Sequence, residues 1–265
     1  MIQLDLFSDP ALRSALPSPF DGAAADARAM VERAVEAGDV HLAYQPVVAS
    51  GAPGAPAFFE GLVRIRDGAG ASMPAGAFIE AIEPWEIGRT VDCLALRAGL
   101  AALRTDPGLT LSINLSARSF AYPRWGQTLI EGLKGVADVK GRLILEITES
   151  SAMGMPGAVA RAMQGLRARG VRFAMDDFGA GCTSFRYLKA FRFEILKIDG
   201  QFIGGIHADG ANRAMTRAFT DVARHFGMAT VAEKVEDARD AAYLAGAGID
   251  YLQGYLYGRP APRLN

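Results

Sequence analysis

Hydrophobic and polar positions follow two rhythms along this chain. Compact apolar runs of roughly four to eight residues read as buried strands, and apolar residues spaced three and four apart read as helices with one face on a core. Met30, Val31, Ala34 and Val35 share a helical face, which predicts a helix over Asp26–Ala37 closed by Gly38. Strands are predicted over His41–Val48 and Ala57–Ile65, joined by a Gly/Pro/Ala connector at Ser50–Pro56. That connector is too short for a helical crossover, so these strands are expected to be antiparallel neighbours. From there the rhythms alternate. Helices are predicted at Ala75–Ala81, Ile87–Leu103, Trp125–Val136, Gly157–Arg169, Ser184–Ala190, Ala211–Phe226 and Ala238–Ala245. Strands are predicted at Leu109–Leu115, Arg142–Thr148, Val171–Met175, Ile195–Ile198, Ala229–Ala232 and near Tyr251-Leu252.

Polar residues interrupt this pattern in a regular place. Glu60, Asn114, Glu146, Asp176, Lys197 and Glu233 each stand at or near the C-terminal end of an apolar run. Asn114, Glu146 and Asp176 follow one another at about 30 residues, one βα unit each. The succession favours an α/β fold, a closed TIM-like (β/α) barrel, over an open doubly wound sheet. Strand ends of such a barrel converge on one mouth. No phosphate-binding Gly-rich fingerprint of the common nucleotide folds occurs.

Composition narrows the class. The 265 residues, 50% hydrophobic and 22% charged, suit one barrel domain. Residues 1–24 hold Pro10, Pro17, Pro19 and Gly22 with little periodicity, so 1–26 reads as a loosely structured arm before a domain over 27–265. A net charge of -1 gives no electrostatic case for a nucleic-acid polymer or an anionic membrane. The N-terminus lacks the features of a signal peptide and no run approaches a membrane span, so a cytoplasmic location is expected. Cys93 and Cys182 make no disulfide framework, and His41, His207 and His225 show no ligand spacing.

The chemistry concentrates in the acids. Asp176-Asp177 ends a strand-like run and enters a turn with Gly179 and Gly181. Adjacent like charges raise each other's energy, and five carboxylates (Glu60, Glu146, Asp176, Asp177, Glu233) in one mouth call for cations. Hard oxygen donors, with the neutral oxygen of Asn114, suit Mg²⁺ or Mn²⁺. Two such ions bridged by a carboxylate serve in-line attack on a phosphodiester. The residues alone indicate a metal-dependent enzyme, with phosphoryl hydrolysis first and an aldolase- or enolase-like barrel still open.

A run of collinear motifs then points to a family. Tyr44-Gln45-Pro46, Glu60-Gly61-Leu62-Val63-Arg64, Ser112–Ser116, Leu145–Ser150, Asp176–Gly181, Leu196–Asp199, Val231–Glu236 and Gln253–Tyr255 occur in that order. Over about 27–262 the chain resembles the EAL-domain phosphodiesterases, whose signature reads Glu-Ala-Leu-x-Arg. The resemblance implies a barrel whose first strand is antiparallel, and hydrolysis of cyclic di-GMP to linear pGpG with two Mg²⁺ or Mn²⁺ ions. It implies that Glu60, Asn114, Glu146 and Asp176 hold one ion and that Asp176 bridges to a second with Asp177. Lys197 and Glu233 would handle the attacking water, supported by Glu236. Gln45, Leu62, Arg64, Gln253 and Tyr255 would line the dinucleotide groove, and Glu149 would steady the loop after Asp177. A homodimer is implied through that loop, and regulation is expected through the 1–26 arm or a partner protein. Some relatives are non-catalytic receptors or protein-binding regulators, which is the alternative reading. The chain departs from the pattern at Gly61, where Ala is usual, at Lys234, where Gly is common, and at Cys182-Thr183, where Tyr-Ser is common.

Overall fold

A computed structural model of the chain describes residues 19–66, 70–136, 138–181 and 188–264. Helix α1 (Pro19–Ala37) leads into strands β1 (Val40–Ala49) and β2 (Ala52–Arg66). The chain continues through β3 (Ser72–Pro74), α2 (Ile79–Ile82), α3 (Glu86–Thr105), β4 (Leu111–Asn114), α4 (Pro123–Lys134) and β5 (Leu143–Thr148). Next come α5 (Glu149–Gly154), α6 (Pro156–Arg167), β6 (Arg172–Phe178), β7 (Ile195–Ile198) and α7 (Gly210–His225). Strand β8 (Ala229–Ala232), α8 (Ala238–Gly246) and β9 (Tyr251–Gln253) complete the order.

The strands follow the order β1-β9-β8-β7-β6-β5-β4-β2-β3, and a further β1–β2 pairing closes the sheet on itself. β1 runs antiparallel to both neighbours, whereas β2, β4 and β5 to β9 pair in parallel. The expected barrel with its antiparallel first strand is therefore the fold. β3 lies outside the closure as a short hairpin partner of Arg64–Arg66. Helices cover the barrel, and α3 packs tightly: a Cβ at Gly99 would come within 2.2 Å of Ile113 Cδ1 on β4.

Two expectations change. Helix α1 starts at Pro19 rather than Asp26, so part of the expected arm is helical. Pro suits a first helical position and Ala23, Ala24 and Ala25 are strong helix formers. The six-residue α5 was not anticipated, because a helix so short displays no periodicity. Residues 1–18, Cys182-Thr183 and most of the predicted Ser184–Ala190 helix lie outside the described residues. No described helix is long and apolar enough to cross a membrane.

The barrel interior positions the chemistry. Val47, Phe58, Ile144, Ala174, Ile195 and Val231 form a small buried cluster of their own, with Tyr251 packed on it. Side chains on a strand return to the same face every second residue. Two residues further along each parallel strand stand Glu60, Glu146, Asp176, Lys197, Glu233 and Gln253. On the reversed β1, Gln45 stands two residues before Val47. The pleat thus stacks a polar layer directly on an apolar floor, toward the mouth.

Candidate active site

Lys197 is the hub of that layer. Its ammonium is 1% exposed and lies 2.6 Å from Glu146 Oε2, 2.8 Å from Glu233 Oε1, 2.9 Å from Asp176 Oδ1 and 3.2 Å from Glu60 Oε2. The approach to Asp176 Oδ1 is ionic without hydrogen-bond alignment. Glu60 also accepts from Asn114 Nδ2 at 2.6 Å and from Gln253 Nε2 at 2.6 Å. Gln253 Nε2 lies 3.3 Å from Gln45 Oε1, and Gln45 donates to the Gly258 carbonyl at 3.1 Å.

Asp176 and Asp177 are neighbours on one strand and would ordinarily face opposite ways. The β6–β7 register shifts between Met175 and Phe178, and Asp177 takes a left-handed backbone with φ 53°. This bulge brings both acids to the same side. Glu60, Glu146 and Asp176 then offer oxygens within 4.8 Å of one another, as do Asp176, Asp177 and Glu233. Asp176 belongs to both groups.

Burial and crowding set the protonation. Desolvation, then the neighbouring Glu60 charge, pushes Glu146 well above the usual carboxylate range. Desolvation raises Glu233 to about 8, with Asp176 and Glu60 adding to the effect and Lys197 opposing it. Desolvation and Asp176 raise Asp177. Desolvation opposes ionisation of Glu60 too, but Lys197 and the amides of Gln253 and Asn114 outweigh it and hold the group low. Desolvation works against the Lys197 charge, yet Asp176, Glu146, Glu233 and Glu60 together hold it well above the ordinary lysine value. Lys197 is therefore a fixed cation and donor.

The donor set fits hard divalent cations. Five carboxylates cluster here, four of them around the one Lys197 ammonium, and Glu146 Oε1 is a buried oxygen with no hydrogen-bond partner. These acids could hold metal.

The other predicted residues surround this layer. Glu149, buried at the start of α5, accepts from the Gly179 amide at 3.3 Å, on the loop that follows Asp177. Arg64 is half-buried; desolvation lowers its pKa while the Glu60 charge opposes that. Leu62 is half-buried, and the exposed Tyr255 ring carries the Arg259 guanidinium at 4.1 Å from its centroid. Gln45 and Gln253 are buried, with their amides turned to the acid layer and Gly258. Glu236 is exposed.

Gly61 is buried, and a Cβ there would sit 3.2 Å from Leu42 Cδ1 and 3.3 Å from the Ser112 carbonyl. Neighbouring side chains have closed on the missing methyl. Two further acids, to which the sequence assigns no role, lie at the edge of the site. Asp199 is buried, caps Gln201 and pairs with Lys234 at 3.5 Å. Asp92 on α3 accepts from Ser119 Oγ at 2.6 Å and the Ser116 amide at 3.2 Å, fastening the turn just after Asn114. Asp199 was visible as a strand-end polar residue; Asp92 had no signal beyond an acid on an apolar helix face.

Known proteins resemble this chain. A cyclic di-GMP phosphodiesterase of Shewanella oneidensis, PdeB, is 31% identical over 237 residues, covering 88% of this chain. A probable cyclic di-GMP phosphodiesterase of Escherichia coli K12, PdeA, is 31% identical over 236 residues, again 88% of this chain. The chain spans only 28% and 32% of those two relatives. Among solved structures, a complex described as the PaMucR phosphodiesterase with c-di-GMP superposes with a TM-score of 0.81 at 31% identity, covering 89% of this chain and 98% of that one. The Pseudomonas aeruginosa FimX EAL domain superposes at 0.82 with 23% identity, a likeness of fold. The sequence profile of the EAL domain matches residues 28–260, and the chain belongs to the EAL domain family.

Proposed function

We propose that this domain hydrolyses one phosphodiester bond of cyclic di-GMP to give linear pGpG. The observation that carries the reading is the pair of carboxylate groups sharing Asp176. It is supported by relatives that carry the same activity in their names. Glu60, Asn114, Glu146 and Asp176 would hold one divalent cation, Mg²⁺ or Mn²⁺, and Asp176 with Asp177 a second. Such ions supply Lewis acidity, neutralising phosphate charge and acidifying a water.

The chain's own groups do the rest. Glu233, held by the Lys197 ammonium at 2.8 Å, would accept a proton from the attacking water. Lys197 stays protonated, holds Glu233 and Glu146 in place and offers a fixed positive charge. Arg64 presents a planar fork suited to a phosphate oxygen, and Tyr255 an aromatic face suited to a base. The water oxygen bonds to phosphorus, the bond to the ribose 3′ oxygen breaks, and that oxygen leaves with a proton. The linear product keeps a 5′ phosphate.

Purified protein incubated with cyclic di-GMP and Mn²⁺, with products separated by chromatography, tests the reading. Accumulation of pGpG is expected, and Asp176→Asn or Glu60→Ala should abolish it. An intact dinucleotide after many enzyme equivalents would overturn hydrolysis in favour of a binding role.

A further inference from the structure

Lys234 has a backbone that its side chain does not favour. It follows Glu233 directly and adopts φ 53°, in the left-handed region. Asp138 and Asp177 are the other non-glycine residues there among those described, and Asp tolerates that region better than Lys. A glycine would meet no such strain. The lysine side chain gains little structurally in return. The side chain is 69% exposed, and its hydrogen-bonding contact among the described residues is Asp199 Oδ2 at 3.5 Å. A pair this long, with its lysine end in solvent, contributes little to folding. Asp199 does not depend on it, since its other oxygen already caps the Gln201 amide at 2.9 Å.

The stem is nonetheless guided. Gly200 lies beneath it, and a Cβ at 200 would come within 2.4 Å of Lys234 Cδ and 2.7 Å of its Cβ. The missing side chain at 200 makes the channel through which Lys234 reaches the rim above β7. The charge it carries there bears on Asp177. Lys197 is spent on four carboxylates below. An anionic ligand approaching this acid-lined mouth meets Lys234 as a cation that is loosely paired. Unrepaid backbone strain beside a site points to a role in that site.

We propose that Lys234 is a substrate-recognition residue, its ammonium leaving Asp199 to bind a phosphodiester oxygen of the dinucleotide on the β7–β8 side of the mouth. This rests on the phosphodiesterase reading above. Titration calorimetry with cyclic di-GMP and Ca²⁺, the dinucleotide confirmed intact afterwards, compares wild type with Lys234→Gly, Lys234→Met, Lys234→Arg and Gly200→Ala. Lys234→Gly and Lys234→Met are expected to weaken binding about tenfold at low salt, the loss of one charge-assisted contact. The gap should narrow as salt rises. Lys234→Arg should keep most of the affinity, and Gly200→Ala, which displaces the stem without removing charge, should lose it. Lys234→Gly should also melt higher than wild type, because the strain is gone. A Lys234→Gly protein that melts higher and binds as tightly as wild type overturns the proposal. A wild type that binds no cyclic di-GMP overturns the substrate reading and this inference with it.

Discussion

Asp92 should make the stability of this domain fall between mildly acidic and neutral pH. It is 8% exposed, and desolvation raises its carboxyl from the ordinary 3.8 to about 7, against the pull of Ser119 and the Ser116 amide. Below pH 3.8 the group is neutral whether the chain is folded or unfolded, and its full stabilisation is present. As pH rises, the unfolded chain ionises first while the fold still holds the proton. Stability is lost until the folded carboxyl itself titrates near 7, and the effect is flat above that. At about 1.4 kcal/mol per pH unit, and with the folded carboxyl half-titrated at 7, the loss from pH 5 to 7 is about 2 kcal/mol. Asp92→Asn keeps an acceptor for Ser116 and Ser119 but cannot titrate. Urea unfolding of both proteins from pH 5 to 8.5 gives two stability curves, and their difference removes what Glu146 and Glu233 contribute to each. The wild type should lose about 3 kcal/mol relative to the variant across that range. Parallel curves would show that Asp92 is ionised in the fold and refute the argument.

Three further outcomes follow from the geometry. Lys197→Met leaves four carboxylates without their ammonium, so the protein held in chelator should lose about 3–5 kcal/mol, with Mn²⁺ restoring part of its melting temperature; an unchanged melting temperature in chelator would contradict the hub. Cations compete with protons for Glu146 and Asp177, both raised, so Mn²⁺ should raise the melting temperature more at pH 8.5 than at 6.5 and release protons on binding, measurable by calorimetry in buffers of different ionisation enthalpy; equal shifts at both pH values would count against binding there. Gly254→Ala drives a Cβ to 2.0 Å from the Val235 carbonyl, between Gln253 and the Glu233 turn, and should cost about 1–3 kcal/mol in urea unfolding; a stability equal to wild type would mean that the two segments separate freely.

Much of the fold was legible because strands and helices obey different periods. The β1–β2 pairing could be anticipated because a Gly/Pro/Ala connector leaves only one way for two strands to meet. The runs ending in Glu146, Lys197 and Glu233 were found within a residue or two, because buried parallel strands are almost uninterrupted apolar sequence. Misses fall where no period exists. Helix α5 is shorter than two turns, and β3 is three residues whose pairing depends on Arg64–Arg66 being near. Helix α1 extends beyond its apolar face because Pro19, a loop signal in sequence, opens the helix and three alanines carry it past Gly22.

The site divides along the same physical line. Inside the barrel, the pleat brings Glu60, Glu146, Asp176, Lys197 and Glu233 into one layer at no conformational cost, and each could be read from an acid or lysine at the end of an apolar run. At the rim, order has to be broken. Two adjacent acids reach one side only through the β6 bulge and the left-handed Asp177, and Lys234 reaches the rim only through another left-handed residue and a bare Gly200. A sequence shows the identity of such residues but not the dihedral that aims them. The first carboxylate group is thus a consequence of strand period, whereas the second is held in place by strain. Substitutions that relax that strain should leave the fold intact, or firmer, while disturbing the side of the mouth that carries Asp177 and Lys234.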